Sequence, residues 1–500
     1  MAERYVLSLD LGSSGLRAVL VPVDRPWAPI EGAALPYRVY RPRSTDALAA
    51  RFVEAELRER LIRVAGEGMR AAGVRAADVT SMSVTAQRGG IALLRGDGTS
   101  AHIAPNTDLR AVFEGAEIDE EHGEAVYAAT GHLPSLFFAP AKLRWWRNHR
   151  PRLSRGIARV ATLGSWATLQ LTGELVETPG QLAEAGLLDV SSGTPAAALL
   201  ARLGFGGELV PRLSAEGEAM GMLRVDVAER VGLPARTPVY LAGPDAQTAA
   251  LGMGAVVPGD VSVAAGWSTP VHLVTDKPIF DAARRTWATT HLIESHWVVE
   301  ANAGDTGGTL DMVRRLVGPR AELSKLDSLI AKSRVGSNML AAFWGPHALE
   351  LASPGMHMGG LLAPTPITYN PLHAGHVARA TVENIGYAIA DCIALAAKVA
   401  GVRTARSMAL GGGMANSAVF PQMLADIMNA PVRRHHHRSS AIGAAIVASR
   451  PRGEWAGAGR AVAAKAQTLD PDVRGVIEYQ EHYPRWRRLR ERLLALSDEL

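Results

Sequence analysis

Asp10 ends an apolar run, Tyr5 to Leu9, and is followed at once by Gly12, Ser13, Ser14 and Gly15. Small residues let backbone N–H groups and hydroxyls approach an anion closely. A carboxylate beside such a turn repels phosphate. A bridging Mg²⁺ removes that conflict, because Mg²⁺ binds through one or two carboxylates plus substrate phosphates. The residue types and spacing therefore suit a phosphate and Mg²⁺ site with Asp10 on the metal side. They suit a plain hairpin turn equally well.

A second copy of the pattern shifts the balance. Val261 to Val274 lines up with Leu7 to Leu20 without a gap, placing Gly266 on Gly12 and Ser268 on Ser14, with Ala264 opposite Asp10. Two strand–turn–strand hairpins about half a chain apart, with the acid kept in one, point to a duplicated domain. Three further sets of polar residues end predicted strands. Val79 to Val84 delivers Gln87 and Arg88 to a strand end, where open α/β sheets hold ligands. Asn106 and Asp108 follow a short strand and turn, and these four side chains suit a polyhydroxylated ligand as well as satisfied loop polars. Asp245 ends the strand from Val239 at the start of a small-residue helix. That position suits a cap or first-turn acid, and it also suits a general base.

The elements that must position these residues alternate between strand and helix. Leu48 to Ala72 is expected as a helix, Val160 to Leu171 as another, and Pro22 to Pro42 as a Pro-rich loop. Trp297 to Glu300 reads as a strand, Ala303 to Gly308 as a small-residue loop, and Phe343 to Thr365 as irregular. His376 to Ala400 is a long amphipathic helix. Met408 to Ser417 is a strand with a glycine turn, suited to a flat ligand or a phosphate. Pro431 to Ser440, with His435, His436 and His437, is expected as a solvated loop and not a metal site.

Five hundred residues imply two domains. Apolar residues at 47% and charged residues at 20% are those of an ordinary globular chain, and a net charge of +4 without a basic block argues against a nucleic-acid partner. The single cysteine, Cys392, excludes an internal disulfide and fits a reducing cytoplasm. The chain starts directly in a strand and has no run of 18 apolar residues, so neither a signal peptide nor a membrane span is expected.

In their order and spacing these motifs resemble the FGGY family of carbohydrate kinases over almost the whole chain. The stretches that carry the likeness are the first hairpin, the Gln87 segment, Thr130 to Asp189, the Asp245 segment, and Gly411 to Ala448. The resemblance implies an α/β fold of two actin-like (ribonuclease H-like) domains, each a mixed sheet flanked by helices, with an interdomain cleft. Residues 1–254 would carry the sugar site and first phosphate turn, and 255–500 the second phosphate turn and the adenosine site. The implied activity is ATP-dependent phosphorylation of a sugar or polyol hydroxyl, with Mg-ATP between the domains. Asp10 matches the metal-side carboxylate; Gly12, Ser13, Ser14 and Arg17 match the first phosphate turn, and Gly266 and Ser268 the second. Asp245 matches the general base. Gln87, Arg88, Asn106 and Asp108 fall on the sugar side; Gly304, Gly411, Gly412, Gly413 and Asn416 fall on the adenosine side. The resemblance leaves room for a homodimer.

The chain departs from the family pattern in places. Trp267 stands in the second turn where a threonine is usual, and Arg438 replaces an acid common in the adenosine region. Arg88-Gly89, Phe137 and Asp245-Ala246 differ from the glycerol-kinase residues, which disfavours glycerol. The Gln-Met-His-Gly of xylulose kinases is absent. Arg88 to Ile91 and Asn106 to Arg110 resemble segments of kinases of the signal autoinducer-2. Trp267 motivates an alternative, a silenced homologue that binds nucleotide or sugar as a sensor. Retention of both Asp10 and Asp245 argues against it, since a binder needs no base.

Overall fold

The structure is a computed structural model that describes residues 3–41, 48–317, 323–345, 358–364, 371–403 and 407–497. Residues 346–357 and 365 of the segment expected to be irregular, Pro42, and the last three residues lie outside these. The backbone falls into two compact units. One comprises Met1–Val257, Thr275–Val298 and Arg438–Val462; the other comprises Pro258–Val274, Val299–His437 and Ala463–Leu500.

In the first unit the strands are β1 (Tyr5–Leu11), β2 (Gly15–Pro22), β3 (Ile30–Pro36), β4 (Val79–Ala86), β5 (Ile91–Leu94), β6 (Ser100–Ala104), β7 (Arg159–Thr162), β8 (Ala219–Met222) and β9 (Pro238–Pro244). The main sheet runs β8-β9-β4-β1-β2-β3, and β6-β5-β7 form a small second sheet. β1 is parallel to β4 and β4 to β9, whereas β1–β2, β2–β3 and β8–β9 are antiparallel. The continuous apolar run of β1 is explained by burial on both faces. Helix Glu54–Ala72 lays Leu57, Leu61, Ile62 and Val64 into this core. Each such side chain contributes roughly 1.5–3 kcal/mol on full burial.

The second unit contains β10 (Asp260–Ala264), β11 (Ser268–Thr275), β12 (Trp297–Asp305), β13 (Ser407–Gly411), β14 (Val432–Arg434) and β15 (Gln467–Leu469). They lie in the order β12-β11-β10-β13-β14-β15. β10 is antiparallel to β11 and parallel to β13, β13 is parallel to β14, and β14 is antiparallel to β15. These six strands repeat the order of the first sheet, with β10 in the place of β1 and β13 in the place of β4. The short hairpin match in the sequence therefore belongs to a duplication of a whole mixed sheet. Helix Ala374–Ala400 is long and apolar enough to cross a membrane by length and composition, but 78% of its most apolar window is buried in the fold.

Several local expectations are corrected. The helix expected from Leu48 begins at Glu54, because Arg51 and Phe52 are drawn into bridges with Tyr40 and Ile103. Residues 160–162 belong to strand β7, paired with β5, and the helix starts at Leu163. The Pro-rich loop contains β3, an edge strand whose partly exposed residues give no clean alternation. β12 runs on to Asp305, through the first half of the expected small-residue loop. Residues 432–434 are a strand, and His435 is buried, its N–H donating to the Leu410 carbonyl at 2.8 Å. Burial pushes its imidazole down to about 3. Cys392 is a free thiol buried on helix Ala374–Ala400.

Candidate active site

Strand register brings the first unit's candidates to one sheet edge. Asp10 sits opposite Arg17 on β2 and beside Thr85 on β4; Pro244 pairs with Ala86, and Pro36 of β3 with Gly15. The segments that leave these strand ends carry the Gly12–Gly15 turn, Tyr37, Gln87 and Asp245. The Gln87 N–H donates to the Leu11 carbonyl at 2.8 Å, tying the two strand ends together.

Around Asp10, Arg17 Nη1 lies 3.6 Å from Oδ2, and Ser440 Oγ donates to the same oxygen at 3.1 Å. Oδ1 is buried without a hydrogen-bond partner. A methyl group on Gly12 would stand 2.9 Å from Arg17 Nη1 and 3.5 Å from this oxygen. Arg17 Nη2 donates to Ser14 Oγ at 2.9 Å and so braces the turn. A carboxylate with one free oxygen beside a turn without side-chain bulk fits a hard divalent cation.

Asp245 opens helix Asp245–Gly252, with Pro244 as its N-cap residue. Thr85 Oγ1 donates to the Gly243 carbonyl at 2.8 Å and meets Thr248 Oγ1 at 2.9 Å, pinning the strand–helix junction. The helix is held from behind by Ser439–Ser449, where Gly252 and Gly443 face each other's backbone with no room for a methyl group. The Asp245 carboxylate makes no ion pair and no side-chain hydrogen bond among the described residues. It keeps part of its surface accessible although it lies deep among neighbouring atoms. Burial, reinforced by the Asp10 charge, pushes its pKa up to about 7 against the opposing pull of Arg88. The helix N-terminus acts in the same direction as Arg88 but does not prevail.

Beside Asp245 lies a buried network that the sequence analysis did not single out. Glu184 Oε1 accepts from Gln247 Nε2 at 2.5 Å and from Thr289 Oγ1 at 2.6 Å, and Oε2 accepts from Arg88 Nη1 at 3.2 Å. Burial works to raise the Glu184 pKa, but the Arg88 charge and His132 hold it well below the usual carboxylate range. Arg88 also lies over the Trp287 ring at 5.5 Å, in an aromatic group with His132 and Phe138. Lys142, buried, donates to the Gly89 carbonyl at 2.5 Å and fixes the loop after Gln87. The available signals were an isolated acid in the small apolar stretch Gln181 to Leu188 and its place within Thr130 to Asp189, one of the stretches that carry the family likeness.

Asn106 Nδ2 donates to Ser13 Oγ at 3.0 Å, and its N–H donates to Gln87 Oε1 at 3.2 Å. Asp108 is differently placed: its oxygens accept from Ala50 N–H at 2.9 Å and from Arg110 Nε at 2.9 and 3.0 Å, with His102 Nε2 at 3.3 Å. It anchors the loop that presents Asn106. The remaining polar atoms are notable for what they lack. Asp10 Oδ1, Tyr37 OH, Gln87 Nε2, Asn106 Oδ1 and Gln247 Oε1 are all buried without a hydrogen-bond partner. Buried polar groups normally have partners, so such a group of donors and acceptors fits a ligand with many hydroxyls.

In the second unit, the turn at Gly266, Trp267 and Ser268 is held from below. Thr306 and Gly307 donate their N–H groups to the Trp267 carbonyl at 3.1 and 2.9 Å, and Gly307 Cα is so close that a methyl group would stand 2.5 Å from the Gly266 carbonyl oxygen. Trp267 itself is 50% exposed. Gly304, at φ +77°, precedes this support. Ala265 donates to the Gly411 carbonyl at 2.9 Å and accepts from Met414 N–H at 3.2 Å, which joins the turn to the glycines at 411–413. Next to these, Asn416, Ala418 and Val419 face Ser324, Asp327, Ser328 and Ala331 across a groove of about 580 Å³. Gly266, Ser268, Gly304, Gly411–Gly413 and Asn416 thus share one side of this unit.

Comparison with known proteins finds relatives along nearly the whole chain. Residues 5–252 match the N-terminal domain of the FGGY family of carbohydrate kinases, and residues 261–451 match its C-terminal domain. The chain is 26% identical over 522 residues to autoinducer-2 kinase of Klebsiella pneumoniae, covering 99% of this chain and 95% of that one. The crystal structure of xylulose kinase from Rhodospirillum rubrum is similar at 25% identity and a TM-score of 0.80, covering 99% of this chain and all of that one (100%). Gluconate kinase from Lactobacillus acidophilus shares the fold at 16% identity and a TM-score of 0.83, with 100% of each chain covered. The chain belongs to the FGGY family of carbohydrate kinases.

Proposed function

We propose that the protein transfers the γ-phosphoryl group of Mg-ATP to a hydroxyl of a neutral sugar or polyol, with Asp245 as the general base. The observation that carries this reading is the unpaired Asp245 carboxylate, at a pKa of about 7, on the same sheet edge as a set of buried polar atoms without partners. A base must lie within hydrogen-bond reach of the attacking hydroxyl and works best when its pKa is close to the working pH. In this account residues 1–254 hold the sugar through Gln87, Arg88 and Asn106, with Asp108 as the anchor of their loop. Gly12, Ser13, Ser14 and Arg17 form the first phosphate turn.

Residues 255–500 supply the second phosphate turn at Gly266 and Ser268. They supply the adenosine side through Gly304, Gly411, Gly412, Gly413 and the groove beside Asn416. Asp10, with its free oxygen, would hold Mg²⁺, which when bound offsets phosphate charge. Phosphoryl transfer depends mainly on positioning and electrostatic stabilisation, so fixed N–H groups and a placed base suffice as protein machinery.

Charge supports a neutral acceptor. Arg17 is paired with Asp10 and Arg88 with Glu184, which leaves the Asp245 carboxylate without an ion-pair partner among the described residues. A carboxylate-bearing acceptor would meet repulsion there. The test is a panel of ketoses, aldoses and polyols, with autoinducer-2 and gluconate included, incubated with Mg-ATP and read by ³¹P NMR. A new phosphomonoester with a neutral acceptor is the expected product; gluconate as the sole acceptor would contradict the charge argument.

A further inference from the structure

Tyr37 directly follows β3, whose last residue pairs with Gly15 of the phosphate turn. Its ring packs on Phe52 with centroids 4.8 Å apart, which fixes the side chain. Its hydroxyl is buried and has no hydrogen-bond partner. Burial and the charges of Asp10 and Asp245 hold the phenol well above its ordinary pKa, while the Gln87 side chain and Arg17 act the other way. The hydroxyl therefore stays protonated, and the groups that act on it are those of the candidate site.

The neighbouring Gln87 amide is oriented by its own contacts. Oε1 accepts the Asn106 N–H, so Nε2 is the end left over, and it too is buried without a partner. Two unsatisfied donors, an O–H and an N–H, remain beside a carboxylate able to accept. An alcohol oxygen can accept from both while giving its own proton to an acceptor.

We propose that Tyr37 is a specificity-determining residue of this kinase, its hydroxyl donating, together with Gln87 Nε2, to a hydroxyl of the sugar or polyol. The inference rests on the kinase reading above. A site built to hydrogen-bond a substrate hydroxyl discriminates strongly against analogues that lack it. A tyrosine whose hydroxyl has no partner in the ligand-free protein contributes nothing to the fold through that oxygen.

The test compares wild type with Tyr37→Phe in two measurements. The first is thermal unfolding without ligand, where the variant should melt at the same temperature or higher. The second is steady-state ADP release with Mg-ATP and the best acceptor from the panel. There the variant's KM for acceptor should rise about ten-fold or more, with KM for ATP within about two-fold and kcat within about three-fold, the pattern of lost ground-state binding. Loss of thermal stability in the variant would make the hydroxyl structural and overturn the proposal. So would an unchanged acceptor KM in a variant of active wild type, which would leave the kinase reading intact. Absence of acceptor-dependent ADP release in the wild type would overturn the kinase reading and the proposal together.

Discussion

Arg88 Nη1 lies 3.2 Å from Glu184 Oε2, and both side chains are largely withdrawn from solvent. This pair joins the loop after β4 to the helix Pro179–Glu184, and through Gln247 to the helix that carries Asp245. Breaking one partner of a buried pair leaves an uncompensated charge. Glu184→Gln should therefore cost about 3–5 kcal/mol of stability at pH 7, measured by urea unfolding. Because the Glu184 carboxyl is held below its ordinary range, its contribution is present above pH about 4.5 and is lost as the pH falls below that. The wild-type and variant curves should approach each other in acid.

Asp245 has the opposite sign. Its folded pKa is raised, so the native state binds more protons than the unfolded chain between about pH 4 and about 7, and stability falls as the pH rises through that window. Asp245→Asn removes the penalty. The ligand-free variant should be more stable than wild type by about 2 kcal/mol at pH 8, discounted for partial solvent access, with the gain shrinking towards pH 4. Urea unfolding at four pH values checks this, and a variant less stable than wild type at pH 8 would refute it.

These two acids also show where sequence was informative. Asp10, Gln87 and Asp245 were legible because each ends an apolar run, and strand ends at one sheet edge share a place in space. The duplicated hairpin foretold the repeated strand order, since a local pattern reports on the sheet it nucleates. Glu184, Thr289, Trp287 and Tyr37 were not legible. They come from three separate segments, with Trp287 and Thr289 on one short strand, and only tertiary packing brings them beside Arg88 and Gln87. Asp108 carries the right residue type for a sugar contact, but Arg110, His102 and the Ala50 N–H occupy its oxygens. The helix start at Leu48 failed because bridges to Tyr40 and Ile103 took Arg51 and Phe52 out of the helical pattern.

Asp10→Asn should keep the fold, because Ser440 and Arg17 still find a carbonyl oxygen in place of the carboxylate. What it removes is the charge that would bind a cation. The Mg²⁺ concentration for half-maximal ADP release should rise about ten-fold or more, with turnover down by about two orders of magnitude. A Mg²⁺ titration at saturating ATP reads both, and an unchanged Mg²⁺ midpoint would remove Asp10 from the metal.

Gly307→Ala tests the second phosphate turn through backbone alone. The new methyl group would stand 2.5 Å from the Gly266 carbonyl oxygen and 2.9 Å from Trp267 Cα, so the turn must shift. Displacement of a positioning group by about 1 Å can cost about 100-fold. We expect kcat/KM for ATP to fall by about ten-fold or more, with KM for the acceptor unchanged. An equal rise in both Michaelis constants would show that the damage spreads beyond the turn.

The most direct test of the account is the rate of acceptor-dependent ADP release from Mg-ATP by wild type and Asp245→Asn, together with Mg-ADP binding by calorimetry. The account predicts turnover lower by about 10²–10⁴-fold in the variant, the range for loss of a general base, with Mg-ADP affinity unchanged. Wild-type turnover in Asp245→Asn would contradict it, since the proton of the attacking hydroxyl would then be leaving by another route.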